Sequence, residues 1–214
     1  MNKFILTLCV LLAAACLSLA GERYDGKETK QVAPSPCPEW YADNEWNVDL
    51  FGTYTFTGND WLDDRYFEGD HGWGGGGDVK YFFMRYFGLG LEGWVADAKR
   101  HYFVVSDNDI RDKNRAIGAV LGTFTIRYPF RCSRFAPYLF AGGGAIFGGG
   151  EDQVFFDDAE VRDNGETRAI GQFGGGLEIR ITRHIGWLTD FSWNIVDGGN
   201  SDFGMVRTGV NFAF

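Results

Sequence analysis

From residue 46 onward the chain repeats with a period of two, and this feature rules out most folds open to a chain of 214 residues. Residues two apart share one face of a β-strand, whereas a helix returns to the same face every three to four. Trp46, Val48, Leu50, Gly52, Tyr54 and Phe56 alternate with Asn47, Asp49, Phe51, Thr53 and Thr55. A second segment sets Trp73, Gly75, Gly77, Val79, Tyr81 and Phe83 around Asp78 and Lys80, and a third sets Phe87, Leu89, Leu91, Gly93 and Val95 around Gly88, Gly90 and Glu92. The fourth places Ala116, Gly118, Val120, Gly122, Phe124, Ile126 and Tyr128 against Thr123, Thr125 and Arg127, and the fifth runs Tyr138, Phe140, Gly142, Gly144, Ile146. In the sixth, Ala169, Gly171, Phe173, Gly175, Leu177, Ile179 and Ile181 oppose Arg168, Gln172, Glu178 and Arg180. Ile185, Trp187, Thr189, Phe191, Trp193 and Ile195 alternate with Asp190, Ser192 and Asn194. The eighth puts Val206, Thr208, Val210, Phe212 and Phe214 on one face and Arg207, Gly209, Asn211 and Ala213 on the other, up to the last residue.

Eight strands of about ten residues match the length that a tilted strand needs to cross a bilayer. The segments between them alternate long and short: 58–71, 97–115, 148–166 and 197–201 on one side, 84–86, 129–135 and 182–184 on the other. That is the loop pattern of an outer-membrane barrel. The expected fold is therefore all-β, an eight-stranded antiparallel up-and-down transmembrane β-barrel over residues 46–214, with both termini on the short-turn, periplasmic side. Trp46, Tyr81, Phe83, Tyr86, Phe87, Tyr128, Phe130, Tyr138, Trp187, Phe212 and Phe214 fall near that side, and Phe56, Trp61, Trp73 and Trp193 near the other. Aromatic rings in two belts suit the two interfaces of a membrane. A soluble barrel would carry the same alternation inside out, and the alternation alone does not separate the two. The leader, the belts and the terminal phenylalanine favour the membrane.

Residues 1–20 read as a secretory signal peptide: Lys3 precedes an apolar run from Phe4 to Leu17, and "SLA" offers small residues before Gly21. The run is shorter than the roughly 20 residues of a spanning helix. Lipidation at Cys16 is a minor alternative, because "AAAC" lacks a large aliphatic residue three positions before the cysteine. Removing the leader takes out one lysine and moves the net charge from −9 to −10. Such acidity excludes nucleic acid as a partner, since phosphate binding needs clustered lysine and arginine. Residues 21–45 form a periplasmic N-terminal segment, rich in proline around "APSPCPEW". Cys37 and Cys132 survive processing and both fall on the short-turn side of an oxidising compartment, so a disulfide between them is expected to pin this segment at the barrel mouth. Two unpaired thiols are the alternative, because sequence does not supply the Cα separation.

With these residues in view, the chain resembles the OmpA-like, porin-family outer-membrane β-barrels of Gram-negative bacteria, through "FGLGLEG", "APYLFAGGGAIF", "GQFGGGLEIRIT" and "VRTGVNFAF". The resemblance covers residues 46–214 and lacks a second, peptidoglycan-binding domain. It implies that Phe212 and Phe214 form an assembly signal read by the barrel-insertion machinery.

Motifs with other meanings fail on their surroundings. "GLGLEG" at 88–93 fits the dinucleotide fingerprint, yet that fingerprint must open a helix and none is readable here. "GWGGGGDVK" has Asp78 where a phosphate-binding loop needs lysine. His71, His101 and His184 are dispersed, no His-x-Ser pair occurs, and "DNDIRD" at 107–112 has Arg111 where a calcium loop needs a ligand. No catalytic residue, metal site or cofactor is expected.

An eight-stranded barrel is about filled by its own side chains. The charges assigned to its lumen are Asp49, Asp78, Lys80, Glu92, Glu178, Arg180, Asp190 and Arg207, expected to pair because an unpaired charge there is costly. Adjacent strands suggest Asp78 and Lys80 with Glu92, and Glu178 and Arg180 with Asp190, Arg207 following on the next strand. They read as a polar plug, with a narrow conductance as the sharper version. Loops 58–71 and 148–166 carry net charges of −4 and −6. The expected role is envelope integrity or surface interaction by a monomer among outer-membrane lipid and lipopolysaccharide. A lipid-modifying enzyme and a secreted soluble barrel with an apolar ligand are the alternatives.

Overall fold

The computed structural model describes residues 37–57, 66, 71–104, 109–149, 166–198 and 201–214, with backbone alone for 98–104 and 109–115. The leader, Trp61 and most of the acidic loops lie outside the described residues. Eight strands follow one another: β1 (Glu45–Phe56), β2 (His71–Met84), β3 (Phe87–Val104), β4 (Asp109–Arg127), β5 (Phe135–Gly149), β6 (Glu166–Arg180), β7 (Ile185–Val196) and β8 (Phe203–Ala213). Each pairs antiparallel with the next, and β8 closes on β1 in a ladder from Asn47↔Ala213 to Phe56↔Gly204. Beyond that ladder the Trp46 and Phe214 backbones exchange both hydrogen bonds, at 3.0 and 2.9 Å. The terminal residue is thus held, and the closed ladder leaves no sheet edge to solvate, the condition for a sheet in lipid.

The direction of burial decides between the two barrels that the alternation allowed. Leu50, Leu91 and Leu139 are 59, 62 and 67% exposed, whereas Asp49, Glu92 and Arg207 are 3, 1 and 2% exposed. Burying one leucine is worth about 1.5–3 kcal/mol, so a water-soluble barrel would have the faces reversed.

Two expectations are corrected. Segment 97–115 is not a long loop: the β3–β4 ladder continues through it to Val104↔Asp109, leaving 105–108 between the strands. Its residues show no apolar face because a hairpin that extends beyond the lipid-facing band needs none. On β5, Tyr138, Phe140 and Ile146 point inward and are buried, while Phe135, Leu139 and Phe147 are exposed, so Tyr138 leaves the aromatic belt. Both faces of this strand carry apolar residues, and periodicity holds no information about which is outside.

Inward glycines make this filling possible. Phe51 lies in register between Gly76 on β2 and Gly209 on β8. A Cβ at Gly209 would stand 2.1 Å from the Leu50 carbonyl oxygen and 2.7 Å from the Phe51 Cβ. Small residues beside large ones let a narrow barrel close around rings.

Candidate functional site

The barrel's interior has three zones, described from the end that carries the short turns. At that end, Glu45 from β1 receives the guanidinium groups of Arg127 on β4 and Arg180 on β6, at 3.1 and 2.6 Å. Glu178 on β6 takes the same two arginines, at 3.3 Å from Arg127 and 2.6 Å from Arg180. Both guanidinium groups lie over the ring of Tyr41, 4.7 and 4.9 Å from its centroid, and Arg127 covers Phe82 at 3.7 Å. The Tyr41 hydroxyl donates to the Arg134 carbonyl at 2.7 Å and the Glu178 carbonyl at 3.2 Å. Burial, and then the neighbouring Glu178, raise that hydroxyl far above the ordinary phenol range. Cys37 and Cys132 are joined with their Cα atoms 5.1 Å apart, and Arg134 lies over Trp40 at 4.5 Å. Residues 37–44 are therefore laid across this mouth with Tyr41 as the stopper.

At the waist, the Lys80 ammonium sits 2.8 Å from Asp49 and 2.7 Å from Asp78, which face each other across β1 and β2. Asn211 donates to the second Asp49 oxygen. Arg207 on β8 forks onto Asp190 of β7 at 2.7 and 3.1 Å and pairs with Glu92 on β3. Its guanidinium is flanked by Phe140 at 4.6 Å and Phe51 at 5.0 Å, and the Tyr138 hydroxyl donates to Asp190 at 2.6 Å. Charged hydrogen bonds of this sort are the strong kind, and flanking rings shield them from water.

Toward the loop end the lumen becomes largely apolar, with Gln172, Ser192 and Asn194 as a buried polar seam in which Gln172 and Asn194 donate to the Ser192 hydroxyl. Trp94, Leu121, Ile117, Ile146, Ile170, Val196, Phe203 and Met205 form one buried cluster, joined by Tyr66, whose hydroxyl donates to the Glu166 carbonyl at 2.6 Å. The Tyr66 amide donates to Ser201 Oγ at 3.2 Å. Between the polar zones the void lined by Asn47, Asp49, Lys80, Arg127, Tyr138 and Asn211 has about 10 Å³ for a water centre. That is room for one water.

All eight charges assigned to the lumen from sequence lie in it, buried. Their pairing differs from the adjacent-strand expectation. Asp78 and Glu92 are opposite in the ladder, yet Glu92 reaches Arg207 on β8, and Lys80 turns to β1. Asp190 belongs to Arg207, its ladder partner, and Arg180 takes Glu45. In a lumen one or two side chains wide, partners meet across the axis as readily as along the wall. Sequence reasoning missed Glu45, which continues the inward parity of Asn47 and Asp49 by one step, and Arg127, which was placed inward with Thr123 and Thr125 but left out of the charges. Nothing local signals Tyr41 or the hydroxyl of Tyr138. Of the histidines, His71 stacks on Tyr54 and His184 Nδ1 meets the Ala213 carbonyl at 2.9 Å. Among the described residues no group of three or more histidine, cysteine or carboxylate side chains is placed to hold a metal ion.

Outside, the rings gather in two belts. Trp46 and Tyr81 lie 4.9 Å apart, and Tyr86, Tyr128 and Phe130 follow one another at 6.3 and 5.8 Å at the turn end. Tyr54 and Trp73, at 4.8 Å, and Phe56 and Phe191, at 6.0 Å, lie nearer the loop end.

The family model described as outer membrane protein beta-barrel domain matches residues 9–214. The N-terminal β-barrel domain of Pseudomonas aeruginosa OprF is 16% identical and superposes with a TM-score of 0.51, covering 81% of this chain and 99% of that one. Neisserial surface protein A is 12% identical with a TM-score of 0.55, covering 79% and 96%. At such identities the likeness concerns the fold. No curated protein matches this sequence.

Proposed function

Because the chain belongs to the outer membrane protein beta-barrel domain family, we propose that it serves as a closed, non-conducting scaffold in the outer membrane of a Gram-negative bacterium. Its short turns and termini face the periplasm, and its loops face the cell surface, where they support envelope integrity or contact surface ligands. The observation that carries this reading is the filled lumen. An ion would have to pass the Tyr41 stopper, two paired charge layers and the Trp94–Met205 cluster, and the void lined by Asn47, Asp49, Lys80 and Arg127 accommodates a single water. The energy stored in those pairs and in that core goes to holding the barrel, since a pore needs sites weak enough to leave.

Purified protein in planar bilayers is expected to be electrically silent. Steady conductance above the lipid background would overturn the scaffold in favour of a pore. The exposed Phe214 ring, on a backbone fixed against Trp46, suits a signal for the barrel-insertion machinery, and Phe212 lies on the same face. Replacing Phe214 with serine, or extending the chain beyond it with polar residues, is expected to slow assembly in cells while refolding in detergent is unchanged. Equal assembly of both variants would remove this role. The scaffold is taken as monomeric and non-enzymatic: incubation with lipopolysaccharide or phospholipid should release no acyl chains.

A further inference from the structure

Arg180 joins two turns that are distant in sequence. Its amide donates to the Arg134 carbonyl at 2.8 Å, and its guanidinium Nη1 donates to the Arg183 carbonyl at 3.1 Å. The turn 128–134 between β4 and β5 is thereby held beside the turn 181–184 between β6 and β7. Together they carry three exposed arginines, Arg131, Arg134 and Arg183. The buried carboxylates at this mouth, Glu45 and Glu178, are already taken by Arg127 and Arg180, and the exposed Glu39, next to Trp40, makes no ion pair with the shelf among the described residues. The remaining turn arginine, Arg85, lies beside its own acid, Asp43, at 3.9 Å. Among the described residues no carboxylate pairs with Arg131, Arg134 or Arg183. Arg134 lies with one face over Trp40.

Directly below these cations the outer wall is apolar. Tyr128, Phe130, Phe135 and Ile181 are 62, 50, 45 and 56% exposed and run into the lipid-facing band. The opposite end has the other sign: Asp97, Glu166 and Asp197 are exposed there, and Arg168 is paired with Glu166 at 2.9 Å. A cationic shelf over an apolar wall complements a molecule with an anionic head and hydrocarbon chains. We propose that the Arg131–Arg134–Arg183 shelf binds acidic phospholipids in the leaflet that meets the termini. This rests on the membrane scaffold described above. Uncompensated basic residues at a membrane surface attract anionic lipid, whereas paired ones such as Arg85 contribute little. Zwitterionic lipid fills the same wall without the charge gain.

The test uses the full folded chain in mixed vesicles of phosphatidylcholine and phosphatidylglycerol, followed by extraction and native mass spectrometry of the lipids that stay bound. The wild type is expected to retain phosphatidylglycerol in excess of its share. Arg131→Gln, Arg134→Gln and Arg183→Gln together should remove that excess, by about fivefold per charge at low salt, and the corresponding lysine variants should keep it. The single Arg131→Gln and Arg183→Gln variants remove side chains with no bonded partner among the described residues, so they report even where the triple variant folds poorly. Equal retention of both lipids by the wild type, or an unchanged excess in the glutamine variants, overturns the shelf. A chain that fails to insert into vesicles, seen as no shift in gel mobility between unheated and boiled samples, overturns the scaffold reading instead.

Discussion

Arg207 offers the sharpest test of how the lumen is held together. Replacing it with methionine keeps most of the volume between Phe51 and Phe140 but removes the cation that serves both Asp190 and Glu92. Two carboxylates, each at least 94% buried, would then share one pocket with no counter-charge. Taking one partner out of a buried pair costs about 3–5 kcal/mol, because the group left behind keeps its desolvation penalty. In a folding equilibrium that is a factor of about a hundred to several thousand, at 1.4 kcal/mol per tenfold. The triple variant Glu92→Gln, Asp190→Asn, Arg207→Met removes all three charges and leaves an acceptor for the Tyr138 hydroxyl. Since replacing a whole buried pair is often close to neutral, it should recover most of the loss. The assay is urea-dependent unfolding in lipid vesicles, read by tryptophan fluorescence, with gel mobility as a check on the barrel. A loss below about 1 kcal/mol for Arg207→Met, or a triple variant no better than the single, would refute the view that this cation offsets the buried acids.

Four further outcomes follow from the geometry. Gly144→Ala should destabilise by about 1–3 kcal/mol or block folding, since its Cβ would stand 1.9 Å from the Val120 carbonyl oxygen, whereas Gly171→Ala, with nothing within 4 Å, should not; the same urea titration compares them. Leu91→Arg on the lipid face should cost up to about 2–4 kcal/mol in vesicles, and an unchanged midpoint would contradict the outward assignment. Tyr41→Phe loses the donor to the Arg134 and Glu178 carbonyls and should cost about 1 kcal/mol. Because burial raises the Tyr41 hydroxyl, its protonated form contributes stability that is fully present below the ordinary phenol pKa and is lost as pH rises through the raised value. Phenolate absorbance should therefore show a late-ionising component that the phenylalanine variant lacks. Cys37→Ala should lower stability by roughly 2–4 kcal/mol, since the bridge closes a separation of 95 residues; free labelling of both thiols in unreduced wild type would refute the bridge.

Strand number, order and the facing of most strands were legible in the chain because a period of two is a local property, carried by each strand without reference to its neighbours. Trp46 to Phe56 and Val206 to Phe214 show it most clearly, with charge on one face and hydrocarbon on the other. The pattern fell silent where both faces are apolar, on β5, and where both are polar, in 98–115. It also placed Asp49, Lys80, Glu92 and Arg207 in one lumen without saying who meets whom.

Those partnerships depend on the closure of the sheet. Curvature and shear decide which residues from non-adjacent strands cross the axis, and only the closed barrel brings Glu92 of β3 to Arg207 of β8, or Glu45 to both Arg127 and Arg180. The same closure turned the loop-end half of the lumen into a packed, largely apolar core and gave Tyr41 a mouth to stop. Alternation along the strand determined a barrel with a polar interior face. The width of that interior, a three-dimensional quantity set by eight strands and the glycines between them, decided that the interior is filled.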